Sequence, residues 1–365
     1  MTPANILVTG GAGFIGVNFV RYLEANRPDC RITVLDSLTY AGNPQSLAGT
    51  RAELVVADIR DQQKVEALLQ DREIDTLVHF AAESHVDRSI HGPAAFIETN
   101  IIGTMSLLAA ARAVWLAGSG RPHRFHHVST DEVFGTLAPG DPPFCETTPY
   151  APNSPYAASK AGSDHLVRAW HHTYGLEVTT SNCSNNYGPY QFPEKLIPLF
   201  LLNALHGKPL PIYGDGQQVR DWLHVEDHCR GIEAVLSQGT VGEIYCIGGG
   251  AELANLTVID TLCAAIDAAF ASDPGLATRF PDAPAAHGRP SATLKTHVQD
   301  RPGHDRRYAI DCTRARSELG YAAQRDFAQG FAETLAWYLE NEPWWRAVMD
   351  GSYRDWGERN YRDRS

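Results

Sequence analysis

The hydrophobic positions of this chain come in two alternating textures. The short runs NILVTG, RITVLDSL, ELVVADI and DTLVHFAA are apolar at nearly every position. Between them stand FIGVNFVRYLEAN and QQKVEALLQDR, whose apolar residues recur at helical spacing. A run that is apolar throughout predicts a strand covered on both faces, because a strand with one wet face would alternate. A long helix is predicted through AAFIETNIIGTMSLLAAARAVW, followed by a further strand in HHVSTDEVFG from His126. Strands and helices taking turns predict a doubly wound α/β fold on a parallel sheet.

After about Tyr190 the texture changes. The helical stretches KLIPLFLLNALHG and VEDHCRGIEAVLSQG are interrupted by short strands, LPIYG and EIYCIGG. The reading that follows is a first domain over 1–190, with a return to it near 215–240, a smaller α/β lobe over 191–345 and a tail over 346–365. FAQGFAETLAWYLEN predicts a late helix. SDPGLATRFPDAPAAHGRPSATLK is rich in Pro, Ala and Gly and predicts a loop or insertion.

Composition changes this picture only at the margins. A chain of 365 residues, 43% hydrophobic and 20% charged, suits two domains or one domain with a lobe. A net charge of −12, with no basic stripe, argues against nucleic acid or an anionic membrane as partner. An anionic substrate would need a few well-placed Lys and Arg. Seven scattered cysteines without a C-x-x-C pair predict reduced thiols. The start, MTPAN, carries no charged leader, and no apolar run approaches the roughly 18 residues of a membrane span. The expectation is a soluble, cytoplasmic protein.

LVTGGAGFIG sets Gly10, Gly11, Gly13 and Gly16 between a strand and a helix. A tight turn and a close pyrophosphate need residues without a Cβ, and the helix start offers unpaired N–H groups. Asp36 closes the next strand, where a carboxylate can accept from an adenine-ribose hydroxyl and would repel a 2′-phosphate. No arginine stands beside it in LDSLTYAG, so NAD is favoured over NADP. Asp58, at the expected end of the VADI strand, could reach the adenine.

Two further stretches carry chemistry. In NSPYAASKAG, Asn153 and Ser154 are cap-type residues before Pro155, and Tyr156 and Lys160 lie four apart on one helix face. A phenol titrates near pH 10, too high for a base at neutrality, and a neighbouring ammonium with a nicotinamide cation would lower that value. In HHVSTDEVFG, Thr130, Asp131 and Glu132 arrive in succession where a buried strand ends. Inside a strand adjacent side chains face opposite ways, but at its carboxyl end the chain leaves the pleat, where ligands of open α/β sheets bind. Two neighbouring carboxylates resist joint ionisation, which yields one acid and one base.

These residues together resemble the extended short-chain dehydrogenase/reductases. Within them AAESHVDRSI, STDEVFG, SPYAASKA, NNYGPYQFPEKLIPL, RDWLHVEDH and RPGHDRRYAID look like the dTDP-glucose 4,6-dehydratases, from residue 5 to about 340. DPGLATRFPDAPAAHG is longer than that pattern. The resemblance implies a Rossmann-type fold, bound NAD, and dehydration of dTDP-glucose to its 4-keto-6-deoxy product. It implies that Tyr156, assisted by Lys160, removes the carbon-4 hydroxyl proton, that Asp131 donates a proton and Glu132 accepts one in the elimination, and that Thr130 holds the carbon-4 oxygen.

For the cofactor the resemblance implies Gly10, Gly13, Phe14, Ile15, Gly16, Asp36, Ser37, Leu38, Thr39, Asp58, Ile59, Ala81, Ala82, Ser84, Thr99 and Asn186, besides Tyr156 and Lys160. For the nucleotide sugar it implies Ser84, Thr130, Asn185, Lys195, Leu196, Pro211, Ile212, Tyr213, Arg220, Asn255, Asp300, Arg301 and His304. Of these, Lys195, Arg220 and Arg301 would hold the diphosphate, and Pro211 to Tyr213 would flank the thymine. It also implies a homodimer built on paired long helices. No metal is expected, since His224 and His228 in HVEDHC lack the H-E-x-x-H order and a third ligand. The alternatives are a dehydratase or 4-epimerase acting on another nucleotide sugar, or a non-catalytic NAD-binding protein. The acid pair argues against an epimerase.

Overall fold

A computed structural model describes residues 3–300 and 302–349. Its first six strands are β1 (Asn5–Thr9), β2 (Arg31–Asp36), β3 (Glu53–Val56), β4 (Thr76–His79), β5 (Arg124–Thr130) and β6 (Val178–Cys183). β7 (Asn185–Tyr187), β8 (Leu210–Tyr213), β9 (Val219–His224), β10 (Ile244–Ile247), β11 (Glu252–Ala254) and β12 (Lys295–Val298) follow. β1 to β6 and β10 form one seven-stranded sheet in the order β10-β6-β5-β4-β1-β2-β3. Every pairing in it is parallel. Ile6 and Val8 pack on one side against the helices Phe14–Asn26 and Val225–Gln238, whereas Leu7 packs on the other with Leu107, Trp115 and Val167. Two covered faces explain why the strands are apolar throughout.

β1 lies between β2 and β4, so the order of connections reverses there. The crevice at such a reversal, beyond the carboxyl ends of the strands, is where an open α/β sheet takes its ligand. The lobe adds the three-stranded sheet β11-β9-β7 and the parallel pair β12-β8. Its core gathers Leu201, Leu262, Ile266, Phe331, Tyr338 and Trp345 from helices at Leu196–Leu205, Asn255–Ser272, Phe327–Glu340 and Glu342–Met349.

The structure corrects the sequence reading in several places. β10, expected in the lobe, pairs with β6 at the edge of the main sheet, while β9, inside the expected 215–240 return, belongs to the small sheet. The return is made by the helix Val225–Gln238 and β10. The Pro/Ala/Gly-rich segment is not a plain loop: it contains a helix at Gly275–Arg279 and two 3-10 turns, and it leads into β12 at Lys295. Leu276, Phe280 and Ala283 from it are buried in the lobe core. The ELVVADI strand stops at Val56. Residues 346–349 of the expected tail are helical, and 350–365 lie outside the described residues.

Two helices, Pro93–Ser119 and Asn255–Ser272, are by length and composition long and apolar enough to cross a membrane, contrary to the reading of apolar runs. Scattered Thr, Ser, Asn and Gly conceal that length from a count of unbroken apolar residues. Each instead buries one side, against the sheet or in the lobe core. All seven cysteines are free thiols.

Candidate active site

The loop between β1 and its helix is closed down by glycine geometry. Gly10 sits at φ +69°, and a Cβ there would stand 2.7 Å from the Ala81 nitrogen. A Cβ on Gly16 would collide with the Gly10 carbonyl oxygen. The backbone is thus folded tightly enough to present the helix start to a phosphate. Asp36 lies at the end of β2, its carboxylate accepting from the amides of Ala12 (3.0 Å) and Leu38 (2.8 Å). It lines the same cavity, of about 410 Å³, as Gly10, Gly13, Phe14, Ile15, Gly16, Ser37, Thr39, Asp58, Ile59, Ala81, Ala82, Ser84, Thr99 and Asn186. A glycine cradle, an acid at the end of the next strand and a cavity joining them fit NAD.

Among the expected cofactor residues, Leu38 stands outside the cavity and Asp58 lines it paired to a neighbour. Leu38, at φ +51°, does not line the cavity; its side chain packs against the core beside β1 and β2, and only its amide serves the site, through Asp36. Asp58 stands two residues past the end of β3, its carboxylate gripped by Arg60 at 2.7–3.1 Å. Arg60 thereby holds the Asp58 carboxyl below its usual range.

At the other end of the cavity β5 delivers the polar triplet. Thr130 caps a 3-10 turn over Asp131–Phe134, its hydroxyl accepting from the Glu132 amide (3.3 Å). That turn is what lets Asp131 and Glu132 line one cavity with Thr130, Tyr156 and Lys160. Asp131 is 1% exposed. Burial pushes its carboxyl well above the ordinary range, and the charges of Glu132 and Asp221 push the same way. Its Oδ2 makes no hydrogen bond. A carboxyl held in this way keeps its proton to higher pH than an exposed one, which suits it to donate.

Ser154 caps the helix Pro155–Tyr174, accepting from the Ala157 amide at 3.1 Å, with Pro155 in the first turn. That cap aims Tyr156 and Lys160 at the triplet. The Lys160 ammonium donates to the Val128 carbonyl at 2.9 Å. The phenol does not have the lowered pKa expected of it. Burial, then Glu132 and Cys183, drive Tyr156 well above its ordinary value, with a hydrogen bond from Thr130 opposing them. In the protein alone burial dominates, so lowering requires a positive charge against the ring, such as the nicotinamide cation.

The expected substrate residues fall into two groups. Ser84, Asn185, Lys195 and Leu196 line the cavity, and Lys195 donates to the Ser84 carbonyl at 2.8 Å. Pro211, Ile212, Tyr213, Arg220, Asn255, Asp300 and His304 do not line it. Ile212 points into the lobe core, because alternation along β8 exposes only Pro211 and Tyr213 on the other face. Asp300 accepts from His304 at 2.6 Å, and the His304 ring meets Tyr213 edge-on. Arg220 stacks over Tyr308 at 4.1 Å and donates to the carbonyls of Val219 and Asp305. Asn255 opens the helix Asn255–Ser272, with its side-chain oxygen buried and without a hydrogen bond. Arg301 lies outside the described residues.

Sequence reasoning missed several cavity residues. Glu194, buried beside Lys195, meets Arg88 at 3.2 Å, and its adjacency to Lys195 was the available signal. Cys183, at the end of β6, carries a thiol pushed up to about 12 by burial and the Asp131 charge; as one of several apolar-run cysteines it had no distinguishing mark. Trp222 also lines the cavity, with its indole nitrogen unbonded. Of the pair in HVEDHC, His224 caps the helix Val225–Gln238, and His228 bonds Asn186 at 2.9 Å.

Comparison with known proteins agrees with this geometry. The family model described as GDP-mannose 4,6 dehydratase matches residues 7–334. The dTDP-glucose 4,6-dehydratase of Xanthomonas campestris pv. campestris (strain B100) is 54% identical over 358 residues, covering 96% of this chain and 97% of that one. That of Neisseria meningitidis serogroup B is 52% identical, with coverage of 96% and 97%. The crystal structure of DesIV (dTDP-glucose 4,6-dehydratase) from Streptomyces venezuelae with NAD and TYD bound superposes with a TM-score of 0.83. It is 49% identical over 94% of this chain and 99% of that one. The UDP-glucose 4-epimerase of Thermotoga maritima with UDP-glucose matches at a TM-score of 0.79 and 26% identity, covering 93% and 99%. The chain belongs to the GDP-mannose 4,6 dehydratase family, among its dTDP-glucose 4,6-dehydratases.

Proposed function

We propose that the protein is an NAD-dependent hydro-lyase that converts dTDP-glucose to dTDP-4-keto-6-deoxyglucose. The observation that carries this reading is the turn at Asp131–Phe134, which brings a buried carboxyl, its pKa pushed up, and a second carboxyl into one cavity with Tyr156. Gly10, Gly13, Gly16 and Asp36 would hold the dinucleotide. The chemistry NAD supplies when bound is acceptance of hydride from carbon 4 and its return at carbon 6. Tyr156 takes the carbon-4 hydroxyl proton, with Thr130 positioned against the same oxygen. The ketone so formed acidifies carbon 5, whose proton passes to Glu132, while Asp131 protonates the hydroxyl leaving carbon 6 as water, and Glu132 gives a proton back to carbon 5 when carbon 6 is reduced. A plain oxidation at carbon 4 would need the tyrosine but no acid pair, and this favours dehydration over epimerisation.

The main sheet, with its return through β10, would carry the cofactor, and the lobe the nucleotide sugar. The exposed Ile97, Ile102 and Met105 on Pro93–Ser119 and Tyr174 on Pro155–Tyr174 support a homodimer through these two helices. Reduced thiols and a soluble biosynthetic role fit the cytoplasm. Incubation of the purified protein with dTDP-glucose should give a 4-keto-6-deoxy sugar without added cofactor in stoichiometric amount. A panel of UDP-, GDP- and CDP-sugars tests the nucleotide. Reduced cofactor accumulating in step with product would identify a simple dehydrogenase instead.

A further inference from the structure

Behind the active-site wall lies a charged cluster that the reaction as described does not use. Tyr156, Lys160 and Asp164 follow one another at four-residue spacing on the helix Pro155–Tyr174, so they share one stripe of its surface. Lys160 and Asp164 are each 5% exposed. The Asp164 carboxylate is held on both oxygens: Oδ1 faces His127 Nε2 at 3.0 Å, and Oδ2 accepts from the Ser129 and Tyr150 hydroxyls, each at 2.8 Å. His127 Nε2 also lies 3.5 Å from the Lys160 ammonium. His127 Nδ1 has no partner, which places the ring proton on Nε2, toward Asp164, since an unpaired donor would cost more than an unpaired acceptor.

We propose that Asp164 is the buried counter-ion of Lys160, a positioning residue that keeps the ammonium charged next to Tyr156 and so sets the pH at which Tyr156 can act. The reasoning is electrostatic. A buried ammonium without a nearby anion sheds its proton rather than remain charged. The titratable groups acting on Lys160 are His79 from β4, His127 from β5, Cys183 from β6 and Asp164 on its own helix, where Tyr156 stands one turn before it and lines the same cavity. His127 is held neutral, lowered to about 4 by burial and the Lys160 charge, and the Cys183 thiol is pushed up to about 12. Neither supplies a charge at neutral pH. Asp164 does, because its hydrogen bond with His127 and the nearby Lys160 charge outweigh burial and keep the carboxyl below its usual range. Three donors on one buried carboxylate stabilise the anion in place; burial lowers the Lys160 pKa, and the Asp164 charge opposes that fall.

This inference rests on Tyr156 being the base, and the test separates the two. Asp164→Asn removes the charge and keeps the size. NMR titration of ε-13C-labelled lysine, assigned with Lys160→Met, should show the Lys160 pKa falling by about one unit or more. Once Lys160 titrates below Tyr156, the phenol ionises without an ammonium beside it, so the acid limb of carbon-4 oxidation should move up and the rate at a pH below both limbs should fall. The sign is diagnostic. Removing a negative charge acting directly on the phenol would shift that limb down, and a purely structural residue would leave it where it is. Asp164→Asn added to Lys160→Met should cause no further loss of rate.

If the Asn variant does not fold, Ser129→Ala with Tyr150→Phe strips two donors from the carboxylate and should shift both titrations the same way, less strongly. An unmoved Lys160 titration, or a limb that stays or falls, overturns the proposal. Oxidation persisting at full rate in Tyr156→Phe would overturn the assignment of the base instead.

Discussion

Asp131 and Glu132 are neighbours in sequence that the structure places in different solvent environments: Asp131 is 1% exposed at the end of β5, while Glu132 is only half-buried, and both line one cavity. The turn that begins at Asp131 creates the difference. A carboxyl that keeps its proton therefore stands next to one placed to ionise, as an elimination requires.

Glu132→Gln keeps size and polarity but cannot accept a proton. General-base catalysis contributes about 10²–10⁴-fold, so 6-deoxy product formation should slow by at least that range. Oxidation at carbon 4 should survive, seen as reduced nicotinamide absorbance on the protein without product. Near-normal turnover, with solvent deuterium still entering carbon 5, would remove Glu132 from its role.

Asp131 makes a prediction about stability against pH. Its folded-state pKa lies above the unfolded value, so the folded protein binds the proton more tightly. Stability from this group is fully present below the ordinary carboxylate range and is lost as pH rises toward the folded pKa. Asp131→Asn removes the titration. The variant should therefore gain in Tm relative to the unmutated protein on going from about pH 4 to pH 8, while losing dehydration. A Tm difference that does not vary with pH would contradict the burial argument.

Gly16→Ala places a methyl against the Gly10 carbonyl oxygen. The β1 loop must open to admit it, so the variant should purify with less bound dinucleotide, measured after acid release. Retention of a full complement would mean that the cradle tolerates displacement.

Phe280 is 2% exposed in the lobe core. Phe280→Ala should cost about 3–5 kcal/mol, measured by denaturant unfolding. A loss below about 1 kcal/mol would return this segment to the status of a surface loop.

Ile102→Glu with Met105→Lys puts charge on the exposed face of Pro93–Ser119. If that face pairs with a second copy, the unmutated protein should run as a dimer and the variant as a monomer in light scattering at micromolar concentration.

The sequence by itself determined the parallel sheet, because strands buried on both faces must be apolar throughout and the helices between them must show their own period. It also placed the glycine loop between a strand and a helix and Tyr156 and Lys160 on one helix, since both depend on spacing within one turn or one helix face. It placed the acid pair at a strand end but could not say which acid is buried, a matter of what surrounds the turn at Asp131. Only the tertiary structure decided that β10 returns to the main sheet and that a Pro-rich segment fills the lobe core, because both depend on contacts between distant parts of the chain. The resemblance named Leu38 and Ile212 without showing which way they face; the backbone turns both side chains toward the core. Asp164 had no visible role in the sequence; its partners His127, Ser129 and Tyr150 come from β5 and the loop after it, and only folding brings them to one carboxylate.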